Sequence, residues 1–162
     1  MQSILFENTA EIRRNKDLLE EKLNVKISFQ GKRVTIEGPS LEEYEASIVL
    51  DAIKAGFSAI KALSLKEDTK IFRVINIKSM TKKKNLELVR ARLIGTQGRT
   101  KRTIEDITGC DIVIKDNDIG IIADAELIEE VVTAISNLAR GTKQANTYRY
   151  LEKMNTEKKK YE

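Results

Sequence analysis

Two glycines separated by two polar residues, Gly95 and Gly98, constrain this chain more than any other feature of its sequence. They join two short segments of helical pattern, and an apolar strand pattern follows at Ile112-Val113-Ile114. Glycine at both ends lets the backbone turn sharply, since no Cβ stands in the way. A phosphate can then approach the exposed N–H groups and the positive end of the following helix. The sequence therefore predicts a phosphate-facing turn at residues 95–98.

The residues around this turn predict the order strand, helix, turn, helix, strand, strand, helix. Apolar periodicity and turn residues place these elements at 71–77 (strand), 86–93 and 100–107 (helices), 112–114 and 119–122 (strands), and in a long helix that ends near Gly141. Asp116-Asn117-Asp118 predicts the turn between the last two strands. This order resembles that of a KH domain, whose Gly-x-x-Gly loop clamps the backbone of single-stranded nucleic acid.

The N-terminal half repeats the plan without the glycine turn. Strands are predicted at 3–7, 25–29 and 34–37, one helix after Asn8-Thr9, and another, which carries Tyr44, Ile48, Leu50 and Ile53, after the capping box Ser40-Leu41-Glu42-Glu43. No glycine lies between Glu7 and Leu23, so this half cannot form the same turn. We therefore expect an α+β fold of two packed type I KH-like units (β-α-α-β-β-α). Each is a three-stranded antiparallel sheet covered by helices on one face, and the first is degenerate.

The boundaries follow from these patterns. We expect a degenerate KH-like domain at 1–66, a KH RNA-binding domain at 70–141, and a basic C-terminal extension at 142–162, partly helical or disordered. Lys158-Lys159-Lys160 is predicted to be a disordered basic tail. The junction lacks a Pro-, Gly- or Ser-rich linker, which favours two rigidly packed domains.

Positive charge is concentrated before and just after the glycine turn. Residues 69–102 carry 11 Lys and Arg against Glu87 alone, whereas residues 1–68 carry 10 basic and 12 acidic residues. A charge run is usually a solvated face, but this one leads directly into the turn, which favours contact with phosphates. The predicted RNA-binding residues are Ile94, Gly95, Thr96, Gln97, Gly98, Arg99, Lys101, Arg102, Arg90 and Arg92.

The stretch from Gly95 to Thr108, Gly-Thr-Gln-Gly-Arg-Thr-Lys-Arg-Thr-Ile-Glu-Asp-Ile-Thr, resembles one branch of KH proteins. That branch is the small-subunit ribosome-assembly factor called partner-of-Nob-one or dimethylase-interacting protein, in its short archaeal form. The resemblance spans roughly residues 25–152 and includes Ala134-Ile-Ser-Asn-Leu-Ala-Arg-Gly141 and Tyr148-Arg-Tyr-Leu-Glu152. It implies binding to the single-stranded 3′ end region of small-subunit rRNA. It also implies, for archaeal members, contacts with the alpha subunit of initiation factor two and with rRNA-processing enzymes.

Two residues depart from the common KH pattern. Many KH loops place lysine or arginine between the glycines, whereas Thr96 and Gln97 are neutral. Lys101 stands where many KH domains have an apolar residue that lines the base groove. We therefore expect backbone N–H groups to bind phosphate here, with Arg99, Lys101 and Arg102 supplying charge nearby, and a groove that is more polar than usual.

Composition excludes several functional classes. Cys110 is the one cysteine and histidine is absent, so we expect no intrachain disulfide, no Cys/His zinc site, no other metal and no cofactor. No nucleophile and base are visible together, so we expect no enzymatic activity. No signal-peptide pattern and no apolar run of membrane-spanning length is present, which predicts a soluble cytoplasmic protein without membrane or small-molecule partners.

Three function classes compete for this sequence. The chain could be an RNA-binding assembly factor, a KH adaptor in translation or RNA decay that acts mainly through protein partners, or an enzyme. The adaptor would bind RNA weakly, and the enzyme would need a reactive centre. The glycine turn and the basic segment favour the first, with a partner-binding role as a second activity.

Overall fold

The computed structural model describes residues 1–160, and the chain divides into two compact units between Asp68 and Thr69. Within the described residues, none of the helices has both the length and the apolar character needed to cross a membrane. Each unit holds a sheet of three antiparallel strands together with helices. The predicted fold class, mixed α and β with two such sheets, is confirmed.

The first unit follows the predicted order β-α-α-β-β-α and adds a short helix and a 3₁₀ turn that were not predicted. Its elements are β1 (Gln2–Leu5), α1 (Ala10–Arg14), α2 (Lys16–Leu23), β2 (Lys26–Gln30), β3 (Arg33–Glu37), α3 (Ser40–Ala55), α4 (Ala59–Leu63) and a 3₁₀ turn at Ser64–Lys66. The sheet order is β1-β3-β2, with both pairs antiparallel, so β3 is central. Val34 and Ile36 of β3 are fully buried, because alternate residues of a strand point to the same face.

One local prediction for α3 is wrong. The predicted capping box is missing, since Pro39 occupies the N-cap position and no side chain caps the helix. The Glu43 carboxylate instead lies 2.6 Å from the Met1 ammonium. The buried face of α3 is formed by Ala46, Val49, Leu50 and Ile53, whereas Tyr44 is 60% exposed.

The second unit carries the glycine turn between two of its helices. Its elements are β4 (Lys70–Asn76), α5 (Ile77–Met80), α6 (Leu86–Ile94), a 3₁₀ turn at Thr96–Gly98, α7 (Arg99–Thr108), β5 (Asp111–Lys115), β6 (Asp118–Asp124), α8 (Ile128–Arg140) and α9 (Gln144–Lys160). The sheet order is β4-β6-β5, again antiparallel throughout. The short helix α5 has no counterpart in the predicted order.

Apolar residues from all three strands and from the helices form one core in this unit. Ile119 and Ile121 of β6 are fully buried, and Ile121 pairs with Ile112 of the neighbouring strand β5. Ile104 of α7 and Leu138 of α8 are buried in the same cluster. Because α7 contributes to this cluster, the helix that follows the glycine turn is fixed relative to the sheet.

In the described part of the C-terminal extension, α9 forms a helix whose Leu151 is fully buried in the core of the second unit, and residues 161 and 162 of the predicted extension lie outside the described residues. The predicted disorder of Lys158-Lys159-Lys160 is wrong, because the helix continues through Lys160. Lys158 Nζ lies 2.8 Å from an Asp124 carboxylate oxygen, and Asn155 Nδ2 donates to the Ile107 carbonyl at 3.1 Å. These contacts tie the last turns of α9 to β6 and α7.

Candidate nucleic-acid interface

The glycine turn adopts a backbone that favours glycine at both of its ends. Gly95 has φ +80°, Gly98 has φ +75°, and Gln97 between them has φ +55°. A Cβ on Gly95 would lie 2.3 Å from Thr100 Oγ1, closer than real Cβ contacts allow. At Gly98 the nearest atom to such a Cβ is an Arg102 nitrogen at 3.6 Å. Gly95 is thus required by both its backbone conformation and its packing, and Gly98 by its conformation alone.

The turn presents its tip to solvent and leads directly into α7. Thr96 and Gln97 are exposed, while Thr100, one residue into the helix, is only 5% exposed. The Gly98 N–H donates to the Gly95 carbonyl at 3.1 Å, which closes the turn. The first N–H groups of a helix have no partner within the helix and carry a partial positive charge. The start of α7 therefore offers an anion an accessible site beside the turn.

The basic residues after the turn have different roles. Arg99 is exposed, and its guanidinium has no hydrogen-bond or ion-pair partner among residues 1–160. Lys101 Nζ lies 3.2 Å from a Glu105 carboxylate oxygen, one helical turn away. Arg102 donates to the Gln97 carbonyl and so braces the turn from the side of α7. Of these three predicted phosphate contacts, Arg99 is the one whose side chain has no hydrogen-bond or ion-pair partner among residues 1–160.

Arg90 and Arg92 of α6 donate to carbonyl groups of their own unit. Arg90 donates to the Asp116 carbonyl, in the turn between β5 and β6, at 2.7 Å. Arg92 donates to the Leu138 carbonyl at 3.0 Å and to the Thr142 carbonyl, both at the C-terminal end of α8. Both arginines therefore have fixed intramolecular partners, and these partners lie outside the Gly95–Gly98 turn.

The edge of β5 lies beside α7 and completes the site. In the order β4-β6-β5, β5 has a strand neighbour on one side only. Glu105 of α7 accepts a hydrogen bond from the Ile112 N–H, with 3.0 Å between Oε2 and N. Ile94, the last residue of α6, and Ile114 of β5 are half-buried. The turn, α7 and the edge of β5 therefore lie next to one another in the second unit, with Ile94 and Ile114 on the elements that flank α7.

Sequence reasoning missed the positioning role of Glu105. The missed signal was spacing, because in the first unit Glu20 of α2 accepts from the Ile27 N–H of β2 at 2.8 Å. Both contacts join residues seven positions apart. A glutamate seven residues before an edge-strand isoleucine therefore marks the same helix-to-strand contact in both units.

Two further contacts recur between the units. Arg13 of α1 donates to the Gly31 carbonyl in the turn between β2 and β3, as Arg90 does to Asp116. The N–H after the first strand also donates to the same turn in each unit. These bonds run from Phe6 N to Lys32 O (2.9 Å) and from Ile77 N to Asn117 O (2.7 Å).

These repeated contacts locate the difference between the two units. Arg13 and Gly31 are 18 residues apart, whereas Arg90 and Asp116 are 26 apart, so the second unit is eight residues longer over this span. The two glutamate contacts have equal spacing, which places the extra residues between Arg90 and Glu105, where the Gly95–Gly98 turn lies. In the first unit, Asn15 alone joins α1 and α2, and its side chain donates to the Glu11 carbonyl at 2.8 Å.

The geometry of the second unit agrees with a comparison against known families. The model of the second KH domain of PNO1 proteins, described as a eukaryotic type KH-domain (KH-domain type I), matches residues 71–156, just over half of the chain. The chain belongs to this KH family. The predicted resemblance to the partner-of-Nob-one family is thereby confirmed. The match begins in β4 and ends within α9, so it covers the turn, the edge strand and much of the C-terminal helix.

Curated relatives come from archaea and animals. A KH domain-containing protein of Methanocaldococcus jannaschii is 30% identical over 145 residues, covering 85% of this chain and 64% of that protein. The RNA-binding protein pno1 of Ixodes scapularis is 30% identical over 138 residues, covering 79% of this chain and 59% of that protein. The chain thus spans about three fifths of the length of the curated relatives it matches.

Solved structures of similar proteins share the fold over nearly the whole chain. Dim2p from Pyrococcus horikoshii OT3 is 28% identical with a TM-score of 0.84, covering 94% of this chain and 98% of that chain. A chain in the a/eIF2alpha–aDim2p–rRNA complex from the same organism is 27% identical with a TM-score of 0.83, covering 96% of this chain and 94% of that chain. The similarity extends over both units.

The cysteine of this PNO1-type KH unit has a structural role. Cys110 precedes β5 and is only 2% exposed, and burial raises the pKa of its thiol to about 11. A thiol reacts as its thiolate, so this group is a poor nucleophile at neutral pH. Its position in the core cluster is that of a small apolar residue.

Proposed function

We propose that the second unit binds single-stranded RNA along the surface between the Gly95–Gly98 turn and the edge of β5. The observation that carries this proposal is the turn itself, because two left-handed glycines expose Thr96 and Gln97 at the positive end of α7. Type I KH domains bind about four nucleotides at such a loop. The exposed guanidinium of Arg99 adds a cation where the RNA backbone would pass.

We infer further that this RNA is small-subunit rRNA, bound at its 3′ end region during maturation of the subunit. Support comes from the PNO1 family match and from the structurally similar Dim2p, which has been solved in a complex with a/eIF2alpha and rRNA. The 3′ end rests on the resemblance to assembly factors of this branch. An exposed single strand before maturation suits a surface that holds unpaired bases.

The first unit, in this proposal, is a KH-like unit without a phosphate clamp. The arginine and glutamate hydrogen bonds of the second unit have counterparts in the first unit. The first unit, however, lacks the eight residues that contain the turn. Residues 1–68 carry more acidic than basic side chains, which disfavours RNA. We assign this unit to protein contacts, with the alpha subunit of initiation factor two as the proposed partner, and rRNA-processing enzymes as further candidates.

An adaptor that acts mainly through protein partners is the second candidate. The complex solved for Dim2p contains a protein partner as well as rRNA, which favours a dual role. Under the adaptor alternative, the glycine turn would contribute little to affinity for RNA. Changes within the turn therefore separate the two candidates.

The test replaces Thr96 and Gln97 with aspartate and measures binding of a fluorescent oligonucleotide of about ten nucleotides from the rRNA 3′ end. Two carboxylates at the tip would repel phosphate, and we expect affinity to fall at least tenfold, or about 1.4 kcal/mol. The matched control is Thr96→Asn with Gln97→Asn, which has the same shape without charge and tolerates the positive φ of residue 97. It should bind within about threefold of the parent.

Circular dichroism is used to check that both variants are folded before their affinities are compared. A folded aspartate variant that binds as tightly as the parent would remove the turn from the RNA site and favour the adaptor. Equal losses in the aspartate and asparagine variants would show that the side chains, and not phosphate repulsion at the turn, carry the effect.

A further inference from the structure

A second group of basic residues surrounds a cavity away from the glycine turn. This cavity, here called the basic pocket, has a volume of about 780 Å³ and is lined by Lys78–Lys83 and Arg140. The segment runs from α5 towards the start of α6, and Arg140 is the last residue of α8. Four of the seven lining side chains are cationic, and none is acidic.

The lysines of the basic pocket are unpaired. Lys78, Lys82 and Lys83 are exposed, and their ammonium groups have no ion pair or hydrogen bond within residues 1–160. Other lysines of the same unit do have carboxylate partners, since Lys70 and Lys158 contact Asp124. Like charges held close together destabilise each other unless an anion neutralises them. The pocket therefore fits an anionic ligand.

The basic pocket is built from fixed parts of the fold. Met80 is only 6% exposed and anchors the segment in the core. Arg140 Nε donates to the Met80 carbonyl at 3.0 Å, which holds the guanidinium at the rim. Lys83 Nζ lies 3.3 Å from the position that a Cβ on Gly141 would take, so this lysine crosses the end of α8. The backbone that carries the lysines and the guanidinium of Arg140 are therefore held in place.

The contacts of Arg92 connect the basic pocket to the glycine turn. Arg92 lies in the second half of α6, three residues before Gly95, and donates to the Leu138 and Thr142 carbonyls on either side of Arg140. The end of α8 therefore packs beside the part of α6 that leads into the turn. At roughly 1.5 Å per residue, the nine residues of α6 span about 14 Å. A strand of about ten nucleotides that is held at the turn can reach this far.

We propose that the basic pocket binds phosphodiester groups of the same RNA strand, outside the roughly four nucleotides held at the turn. This inference rests on the proposed RNA binding and adds a second contact to it. Phosphate groups suit the site because three of its four cations are lysine ammonium groups, which act as point charges on flexible stems around an open cavity. An acidic protein segment is the competing occupant, and the experiment distinguishes it.

The test variant replaces Lys78, Lys82 and Lys83 with glutamine in the full chain. The control removes three exposed lysines of the first unit, Lys26→Gln, Lys32→Gln and Lys54→Gln, and so lowers the net charge equally. Binding is measured with oligonucleotides of about four and about ten nucleotides over a range of salt concentrations. We expect the test variant to bind the long strand at least tenfold more weakly, with a salt slope shallower by about 2, at roughly 0.7 per phosphate contact.

The short strand should bind the test variant as it binds the parent, since it occupies only the turn. Equal losses on both strands would overturn the proposal, because a general charge effect does not depend on strand length. Unchanged affinity for the long strand would also overturn the proposal. If the test variant instead lost affinity for a polyglutamate peptide, the pocket would be assigned to an acidic protein segment. Failure of the proposed function has another signature, in which the Thr96→Asp, Gln97→Asp variant retains full affinity for both strands.

Discussion

Gly95 lies so close to Thr100 that a Cβ on Gly95 would stand 2.3 Å from the threonine Oγ1 and 2.6 Å from its backbone nitrogen. Thr100 is itself buried at the start of α7. The first glycine of the turn is therefore a packing element of the second unit as well as a part of the proposed RNA site. The second glycine, Gly98, has no such neighbour.

Alanine at the two glycines should consequently have unequal costs. Gly95→Ala meets backbone strain and a clash, and we expect it to lower the free energy of unfolding by about 3 kcal/mol. Gly98→Ala meets only the strain of φ +75°, which costs about 1 kcal/mol. Urea unfolding followed by circular dichroism measures both values. Equal losses would show that the Thr100 contact relaxes without cost.

Arg99 should act on RNA affinity without affecting stability. Its guanidinium is exposed and has no partner within residues 1–160, so Arg99→Gln should change the free energy of unfolding by less than about 0.5 kcal/mol. The slope of log affinity against log salt should become shallower by roughly 0.7, which corresponds to one phosphate contact on a single strand. An unchanged slope would remove Arg99 from the phosphate contacts.

Arg92 should show the opposite behaviour. Its hydrogen bonds to two carbonyls at the end of α8 are charge-assisted, and Arg92→Gln should lower the free energy of unfolding by about 2 kcal/mol. The salt slope for RNA binding should stay within error of the parent. A variant that keeps its stability and loses one unit of slope would return Arg92 to the RNA site, where sequence reasoning placed it.

Sequence patterns predicted the regular parts of the second unit well because their causes are local. Strand alternation, helical periodicity and the glycine turn each depend on residues within one short window. The partners of Arg90 and Arg92 could not be predicted in this way. Their acceptor carbonyls lie 26 and 46 residues away in the chain, and a backbone carbonyl has no sequence identity by which to recognise it. The charge count of residues 69–102 therefore overstated how many side-chain cations lack an intramolecular partner and can contact RNA directly.

The error at the C-terminus has a related cause. Lys158-Lys159-Lys160 has the composition of a solvated tail, and only the fold brings Asp124 of β6 within 2.8 Å of Lys158. The capping box at Ser40 failed because Pro39, whose fixed φ suits the start of a helix, set the N-cap one residue earlier. In both cases a prediction from a short sequence window failed because a residue outside the pattern, Asp124 or Pro39, determined the local structure.

The Lys158–Asp124 pair predicts a pH-dependent contribution to stability. The hydrogen bond from Lys158, followed by the charge of Lys70, holds the pKa of Asp124 below its usual value, against the opposing effect of partial burial. A depressed folded-state pKa stabilises the fold above the unfolded pKa of about 3.9, and this stabilisation is lost as pH falls through the folded pKa. Lys158→Met should cost about 1 kcal/mol at pH 7 and progressively less as the carboxylate is protonated.

Thermal unfolding from pH 7 down to about pH 2 measures this dependence. The neighbouring exposed Lys159 provides the control, and Lys159→Met should leave the stability close to that of the parent throughout. A constant difference between the Lys158→Met variant and the parent at all pH values would assign the loss to packing of the lysine stem and not to the ion pair.

The RNA bound by the second unit should be single-stranded, and its bases should be read without aromatic stacking. Only 5% of the residues are aromatic, and none lies between Gly95 and Arg140. Selectivity must then come from hydrogen bonds to base edges, for which the edge of β5 offers backbone groups other than the Ile112 N–H, which donates to Glu105. A paired helix cannot present its bases to this edge. In a competition assay, a 3′-end oligonucleotide should displace the bound probe far better than the same oligonucleotide annealed to its complement. Equal competition by the duplex would contradict KH-type binding, whereas equal competition by unrelated single strands would contradict only the preference for the rRNA 3′ end.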